Sequence, residues 1–255
     1  MKKFVILIAL IAFTTVFSHQ THAVSKNLVY ILCYHSFLGT INASTDFSPD
    51  TFKTHIEDIY KLGYKFVSLE DIKNNRIEGS LNVLITIDDG NRSIRNIYGL
   101  FEEYNIKPVL FIYPAVISRM RYALTYSDLS NYIHKGASIG GHGWFHEKVN
   151  MELYLEGENR FKKEIYNPKT HLQNRLNVGV SAYAYPFGIY SDITVEHIEK
   201  AGYKFAFTIE PYPLEMPVSD ENRFTLPRFM VTKGKWSGIY NELKENSRGK
   251  KQSVW

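Results

Sequence analysis

Short apolar runs rich in β-branched and aromatic residues alternate along the chain with amphipathic stretches, and this order constrains the fold more than any other feature. Residues 29–34 (VYILCY), 83–87 (VLITI), 109–113, 138–139, 182–185, 205–209 and 229–231 read as strands, with a shorter one at 66–67. Ser48 followed by Pro49 signals a helix start, and Ile56, Ile59 and Tyr60 form its apolar stripe before Gly63 ends it. Ser68 caps a short helix through Ile72, and Ile94, Ile97, Tyr98 and Phe101 mark another stripe. Further helices are expected over 128–134, 152–166 with Pro168 as the breaker, 191–201 and 237–246. A β-then-α order implies parallel strands joined by crossover helices. Seven or eight such units without a linker predict an α/β fold closed, or nearly closed, into a barrel. An open doubly wound sheet is the alternative. Both put chemistry at the C-terminal ends of the strands.

The segment 1–23 (MKKFVILIALIAFTTVFSHQTHA) has a basic start, an uncharged apolar run and small residues before Ala23, which is the pattern of an export signal. The run is shorter than the roughly 20 apolar residues that a membrane span needs. An uncleaved anchor is the alternative. Cleavage after Ala23 leaves a mature domain over 24–255, and loss of Lys2 and Lys3 lowers the net charge from +4 to +2. No later run is long and apolar enough to span, so the expected location is periplasmic or secreted. A hydrophobic content of 44% excludes a mainly disordered chain. The small net charge gives no argument for a nucleic-acid partner. Cys33 is the only cysteine, which excludes an internal disulfide and cysteine-clustered zinc sites. The tail from about 247 (SRGKKQSVW) is basic and is expected to fray.

Three segments concentrate polar groups where apolar strands stop. Asp88-Asp89-Gly90 follows VLITI. Adjacent carboxylates at a strand end repel unless a cation or a shared proton relieves them, and a turn at Gly90 can aim both into one pocket. An ordinary helix cap is the alternative. Gly140-Gly141-His142-Gly143-Trp144-Phe145-His146 holds two histidines four apart, and its three glycines argue for a loop rather than a helix. With Asp89 they make a two-histidine, one-carboxylate set suited to Zn²⁺ or a similar divalent ion. A polar loop without a ligand is the alternative. In Tyr183-Ala184-Tyr185-Pro186-Phe187-Gly188 the proline and glycine force a sharp exit from a strand, which can aim a backbone N–H at a ligand.

Together these segments resemble the polysaccharide deacetylase (NodB-homology) domain of carbohydrate esterase family 4. Thr86-Ile87-Asp88-Asp89-Gly90 is similar to its first motif, His142 to His146 to its second, and Ala184-Tyr185-Pro186-Phe187 to its third. The resemblance covers residues from about 29 to 231 and implies a distorted (β/α)7-8 barrel. It also implies a divalent metal on Asp89, His142 and His146 (Zn, with Co, Ni or Mn as alternatives), Asp88 as general base and the Phe187 N–H as oxyanion donor. Three departures stand out. Gly143 replaces a Ser or Thr whose hydroxyl helps hold the histidine loop. Ala184 replaces an arginine beside the catalytic aspartate. The family's late histidine motif is missing, since the last histidine is His197 inside a helix.

Cys33-Tyr34-His35-Ser36-Phe37 resembles a motif of the subgroup that deacetylates poly-β-1,6-N-acetylglucosamine, where an early histidine supplies the general acid. This resemblance gives His35 that role, and closure of a barrel brings first and last strands together. Arg228, at the start of the last strand, is a candidate to supply the lost guanidinium, with an ordinary solvated arginine as the alternative. Trp144, Tyr185 and Phe187 are candidate walls around the acetyl group and sugar, with core packing as the alternative. The expected partner is an N-acetylated amino-sugar glycan, poly-N-acetylglucosamine-like. Peptidoglycan, a lipid-linked N-acetyl sugar, and a catalytically dead carbohydrate-binding homologue are the alternative readings.

Overall fold

Period-two alternation sorts the strand side chains onto two faces, and this sorting builds the fold. The computed structural model describes residues 26–252, so the export signal expected over 1–23 lies outside the described residues. In chain order the elements are β1 (Asn27–Tyr34), α1 (Pro49–Lys61), β2 (Lys65–Phe66), α2 (Leu69–Lys73), β3 (Asn82–Ile87), α3 (Tyr98–Glu103), β4 (Val109–Ile112), α4 (Tyr126–His134), β5 (Ser138–Gly141), α5 (Met151–Glu156), α6 (Glu158–Leu176), β6 (Ala182–Ala184), α7 (Asp192–Lys200), β7 (Phe205–Phe207), β8 (Leu214–Met216), β9 (Phe229–Met230) and α8 (Trp236–Gln252). Tyr30 and Leu32 of β1, Val83 and Ile85 of β3, and Leu110 and Ile112 of β4 face outward into a core shared with the helices. Val29 and Ile31, Leu84, and Val109 and Phe111 face inward with Ala182, Ala184 and Phe207.

The sheet runs β7-β6-β5-β4-β3-β1-β8, with β2 added on β3 and β9 on β1. All pairs are parallel except β1–β8. It curls until its two sides meet across one segment. Leu226 N donates to Ala206 O at 2.8 Å and Thr208 N to Leu226 O at 2.8 Å, while Phe229 and Met230 pair with Leu32 and Cys33. The result is the nearly closed barrel expected from the β-then-α order, distorted as the family resemblance implies, with β1 beside the last strand.

Local signals read from the sequence act as anticipated at two helix starts. Ser48 accepts from Thr51 N ahead of Pro49, and Ser68 forms a capping box with Asp71. Elsewhere the structure corrects the reading. The helix expected over 152–166 is two helices divided at Gly157, and α6 continues through Pro168 to Leu176. Proline removes the N–H that would bond Glu164 O, and the freed carbonyl accepts the Tyr183 hydroxyl at 3.3 Å instead. The tail expected to fray from about 247 extends α8 to Gln252, with Ser247 buried. β8, an antiparallel edge strand of three residues, has no counterpart in the sequence reading.

Candidate active site

Inward alternation along β3 carries through Leu84 and Thr86 to Asp88, which is 2% exposed at the barrel's C-terminal end. Asp89 would then point outward, but its φ of 72° breaks the alternation and turns it toward the same opening. His142 follows β5, His35 follows β1, and Phe187 follows β6. Arg228 precedes β9, which enters the sheet late: Met230 pairs with Cys33, and Cys33 with Thr86. Carried back two residues, that register sets the Arg228 main chain level with Leu84 in the middle of β3, and the long side chain spans the distance to Asp88. All seven candidates, His35, Asp88, Asp89, His142, His146, Phe187 and Arg228, line one cavity of about 200 Å³.

Asp88 and Arg228 form a buried fork, with Arg228 Nη1 on Asp88 Oδ1 at 2.7 Å and Nη2 on Oδ2 at 2.9 Å. Arg228 is 0% exposed and is held further by Nε to Thr208 O at 2.9 Å and Nη1 to Thr86 Oγ1 at 3.2 Å. Burial opposes ionisation of Asp88, but the Arg228 guanidinium, followed by His142, outweighs it and holds the carboxyl well below the usual range. Cys33 donates to Asp88 Oδ2 at 3.4 Å, and burial pushes its thiol far above the ordinary value. Its contact with Asp88 has no sequence signal beyond its inward register.

Asp89, His142 and His146 converge. His142 Nε2 lies 3.1 Å from His146 Nε2, and Asp89 Oδ1 is 3.5 and 3.4 Å from those two nitrogens. His142 Nδ1 donates to Ala184 O at 2.8 Å, which leaves Nε2 as the lone-pair nitrogen facing the cluster. Burial lowers His142 to about 3 and also lowers His146, so both rings are neutral near pH 7. Asp89 Oδ1 is buried without a hydrogen-bond partner. Burial raises its carboxyl to about 6, with His35 opposing and Asp88 adding to the rise. Tetrahedral zinc with ligands at about 2.0–2.1 Å sets its ligand atoms about 3.3–3.4 Å apart. The three observed separations and the orphaned oxygen fit such an ion.

The remaining candidates surround this centre. His35 lines the cavity, and its Nδ1 is buried without a partner. The loop that carries it is tied down by fully buried Asp46, which accepts from Ser36 Oγ at 2.7 Å, Leu38 N at 3.0 Å and Ile41 N at 3.1 Å. Phe187 holds a φ of 59° and sets its ring against His146 at 4.6 Å. Tyr185 borders the cavity but is fully buried in the core, its hydroxyl donating to Phe224 O at 2.9 Å; Trp144 does not line the cavity and packs edge-on against His171 at 5.2 Å.

One residue of the site escapes the sequence reading. Fully buried Glu164 accepts from Trp144 N at 2.9 Å, Phe145 N at 3.0 Å and Glu147 N at 3.3 Å, main-chain groups of the loop that holds His146. These bonds tie down the loop in which Gly143 carries no hydroxyl. A signal exists: Glu164 shares the α6 stripe of Phe161, Ile165, Pro168 and Leu172, where a carboxylate is out of place.

A family model described as polysaccharide deacetylase matches residues 77–206. Among solved structures, IcaB from Ammonifex degensii is similar with a TM-score of 0.72 at 20% identity, covering 86% of this chain and 98% of its own. The Streptococcus pyogenes deacetylase PplD in complex with acetate gives 0.73 at 22% identity, covering 86% and 99%. A de-N-acetylase from Aggregatibacter actinomycetemcomitans gives 0.69 at 16%, covering 84% and 99%. At these identities the likeness is one of fold. A comparison with curated protein sequences finds no match.

Proposed function

The chain belongs to the polysaccharide deacetylase family, and we propose that it removes N-acetyl groups from an amino-sugar glycan outside the cytoplasm, using a divalent metal held by Asp89, His142 and His146. The observation that carries this reading is the convergence of three ligand atoms 3.1–3.5 Å apart beside an arginine-paired carboxylate in one cavity. Similarity to a de-N-acetylase and to a deacetylase in complex with acetate supports the bond type. The cavity, about 200 Å³, is smaller than the roughly 300–1,000 Å³ of pockets that enclose whole small ligands. It suits a pendant acetamido group of a larger molecule that stays outside. The export segment supports the location, and no helix among the described residues is long and apolar enough to cross a membrane.

Zinc, or Co, Ni or Mn in its place, would supply Lewis-acid polarisation of the amide carbonyl and a more acidic water. The protein does the rest. Asp88 accepts a proton as the water oxygen bonds to the carbonyl carbon. Arg228 fixes the plane of that carboxylate, Cys33 takes the second acceptor site of Oδ2, and Oδ1 keeps a free lone pair. The Phe187 N–H donates to the carbonyl oxygen as it gains charge. His35 gives its proton to the nitrogen as the C–N bond breaks, leaving acetate and a free amine. Ala184 therefore does not leave Asp88 without a guanidinium, because Arg228 brings one from another strand.

Acetate release by the zinc-loaded chain from β-1,6-linked N-acetylglucosamine oligomers, peptidoglycan fragments and lipid-linked N-acetyl sugars tests the reading. Release from the oligomers that stops in chelator is expected. Sugar binding with no acetate from any substrate would make the chain a carbohydrate-binding homologue instead.

A further inference from the structure

Glu164 is a carboxylate with 0% exposure in the middle of a helix, and burial raises its pKa above the ordinary value. A buried charge is costly unless strong partners satisfy it. Here the partners are three N–H groups of one loop, from Trp144, Phe145 and Glu147, at 2.9–3.3 Å. The enclosed loop ends on His146, whose φ of 65° is uncommon for a residue with a side chain and has to be enforced from outside. The fit leaves no slack. A Cβ on Gly143, which has a φ of +74°, would stand 2.7 Å from Glu164 Oε2. The main chain of the same residue reaches the other side of the site. Pro168 frees Glu164 O, which accepts the Tyr183 hydroxyl, and β6 then runs on to Ala184, whose carbonyl orients His142.

We propose that Glu164 is a positioning residue: its carboxylate gathers the 144–147 main chain so that His146 Nε2 meets His142 Nε2 and Asp89 Oδ1, and it does so from outside the ligand set. This rests on the reading of Asp89, His142 and His146 as ligands. Outer groups that orient ligands typically change metal affinity about 10–100-fold when altered. Glu164→Gln keeps the side-chain size but turns an amide NH₂ toward N–H donors. We expect zinc affinity, measured by competition with a chromogenic chelator, to fall about 10–100-fold. Amide hydrogen exchange should quicken at Trp144, Phe145 and Glu147 while β3 amides keep their protection. Wild-type affinity together with unchanged loop protection in Glu164→Gln would overturn the proposal. If that variant does not fold, exchange in the metal-free wild-type chain decides: protection of the three amides supports the role, and exchange at the rate of an unstructured peptide removes it. Failure of the wild-type chain to take up zinc would count against the ligand reading, whereas the amide protection judges Glu164 alone.

Discussion

Replacing Arg228 by leucine isolates the most strongly buried charge pair among the described residues. Arg228 is 0% and Asp88 2% exposed, so both ions are almost wholly withdrawn from bulk solvent. Breaking a buried pair from one side costs about 3–5 kcal/mol, because the remaining charge stays buried and unpaired. At about 2–4 °C per kcal/mol for a domain of this size, that is a fall in Tm of about 6–20 °C. The pH dependence has a definite sign. In the wild type the Asp88 pKa is depressed, so its contribution is present above the unfolded value near 3.9 and is lost only as pH falls below it. In Arg228→Leu the largest opposing influence is gone, only His142 and His35 still counter burial, and that pKa rises. Between 3.9 and the raised value the variant then loses about 1.4 kcal/mol per unit as pH rises. The difference between the two proteins should therefore be large at pH 7.5 and smaller at pH 4.5. Urea unfolding at both pH values in chelator measures it without contribution from bound metal. Arg228→Leu combined with Asp88→Asn should recover much of the loss, since no orphan charge remains. A loss under about 1 kcal/mol at pH 7.5, or an equal loss at both pH values, would refute the pairing as an energetic account.

Three further outcomes follow from the same geometry. His35→Ala should slow acetate release about 10²–10⁴-fold, the usual worth of a general acid, with zinc content unchanged; equal rates would reduce His35 to a loop histidine. Zinc affinity should fall about tenfold per unit as pH drops below about 6, because a proton on Asp89 must leave before the ion binds. Chelator competition at pH 5 and pH 7 checks this, and a flat profile would remove Asp89 from the ligand set. Tyr183→Phe should destabilise by about 1–3 kcal/mol in urea unfolding, since Pro168 cannot supply the donor that Glu164 O would lose; no change would mean that water takes over at that carbonyl.

What could be read from the sequence is what depends on neighbours in the chain. Alternation through Leu84, Thr86 and Asp88 is a local property, and so is the turn at Asp89-Gly90, so one strand and its exit already place two carboxylates at one end of the barrel. Glu164 illustrates the opposite case. Its place on the stripe of Phe161, Ile165 and Leu172 marks it as odd, but the groups that satisfy it, the main-chain N–H donors of the 144–147 loop, lie elsewhere in the chain and leave no local pattern. β8 is three residues in a proline-containing loop, too short to show a period, and its pairing with the start of β1 comes from the closure of the sheet. The guanidinium shows why such cases stay out of reach. Asp88 needs a cation, and that need is legible in Asp-Asp-Gly; which strand provides it is not. Ala184 on β6 is small and inward-facing, and Arg228 arrives before β9, because the segment from Leu226 to Met230 bonds β7 at one end and β1 at the other. In a closing barrel several strand ends face the same few ångströms of space, so a charge can move from one strand to another while the carboxylate it serves stays put. The chemistry of the site is therefore more constrained than the chain position of the residues that perform it.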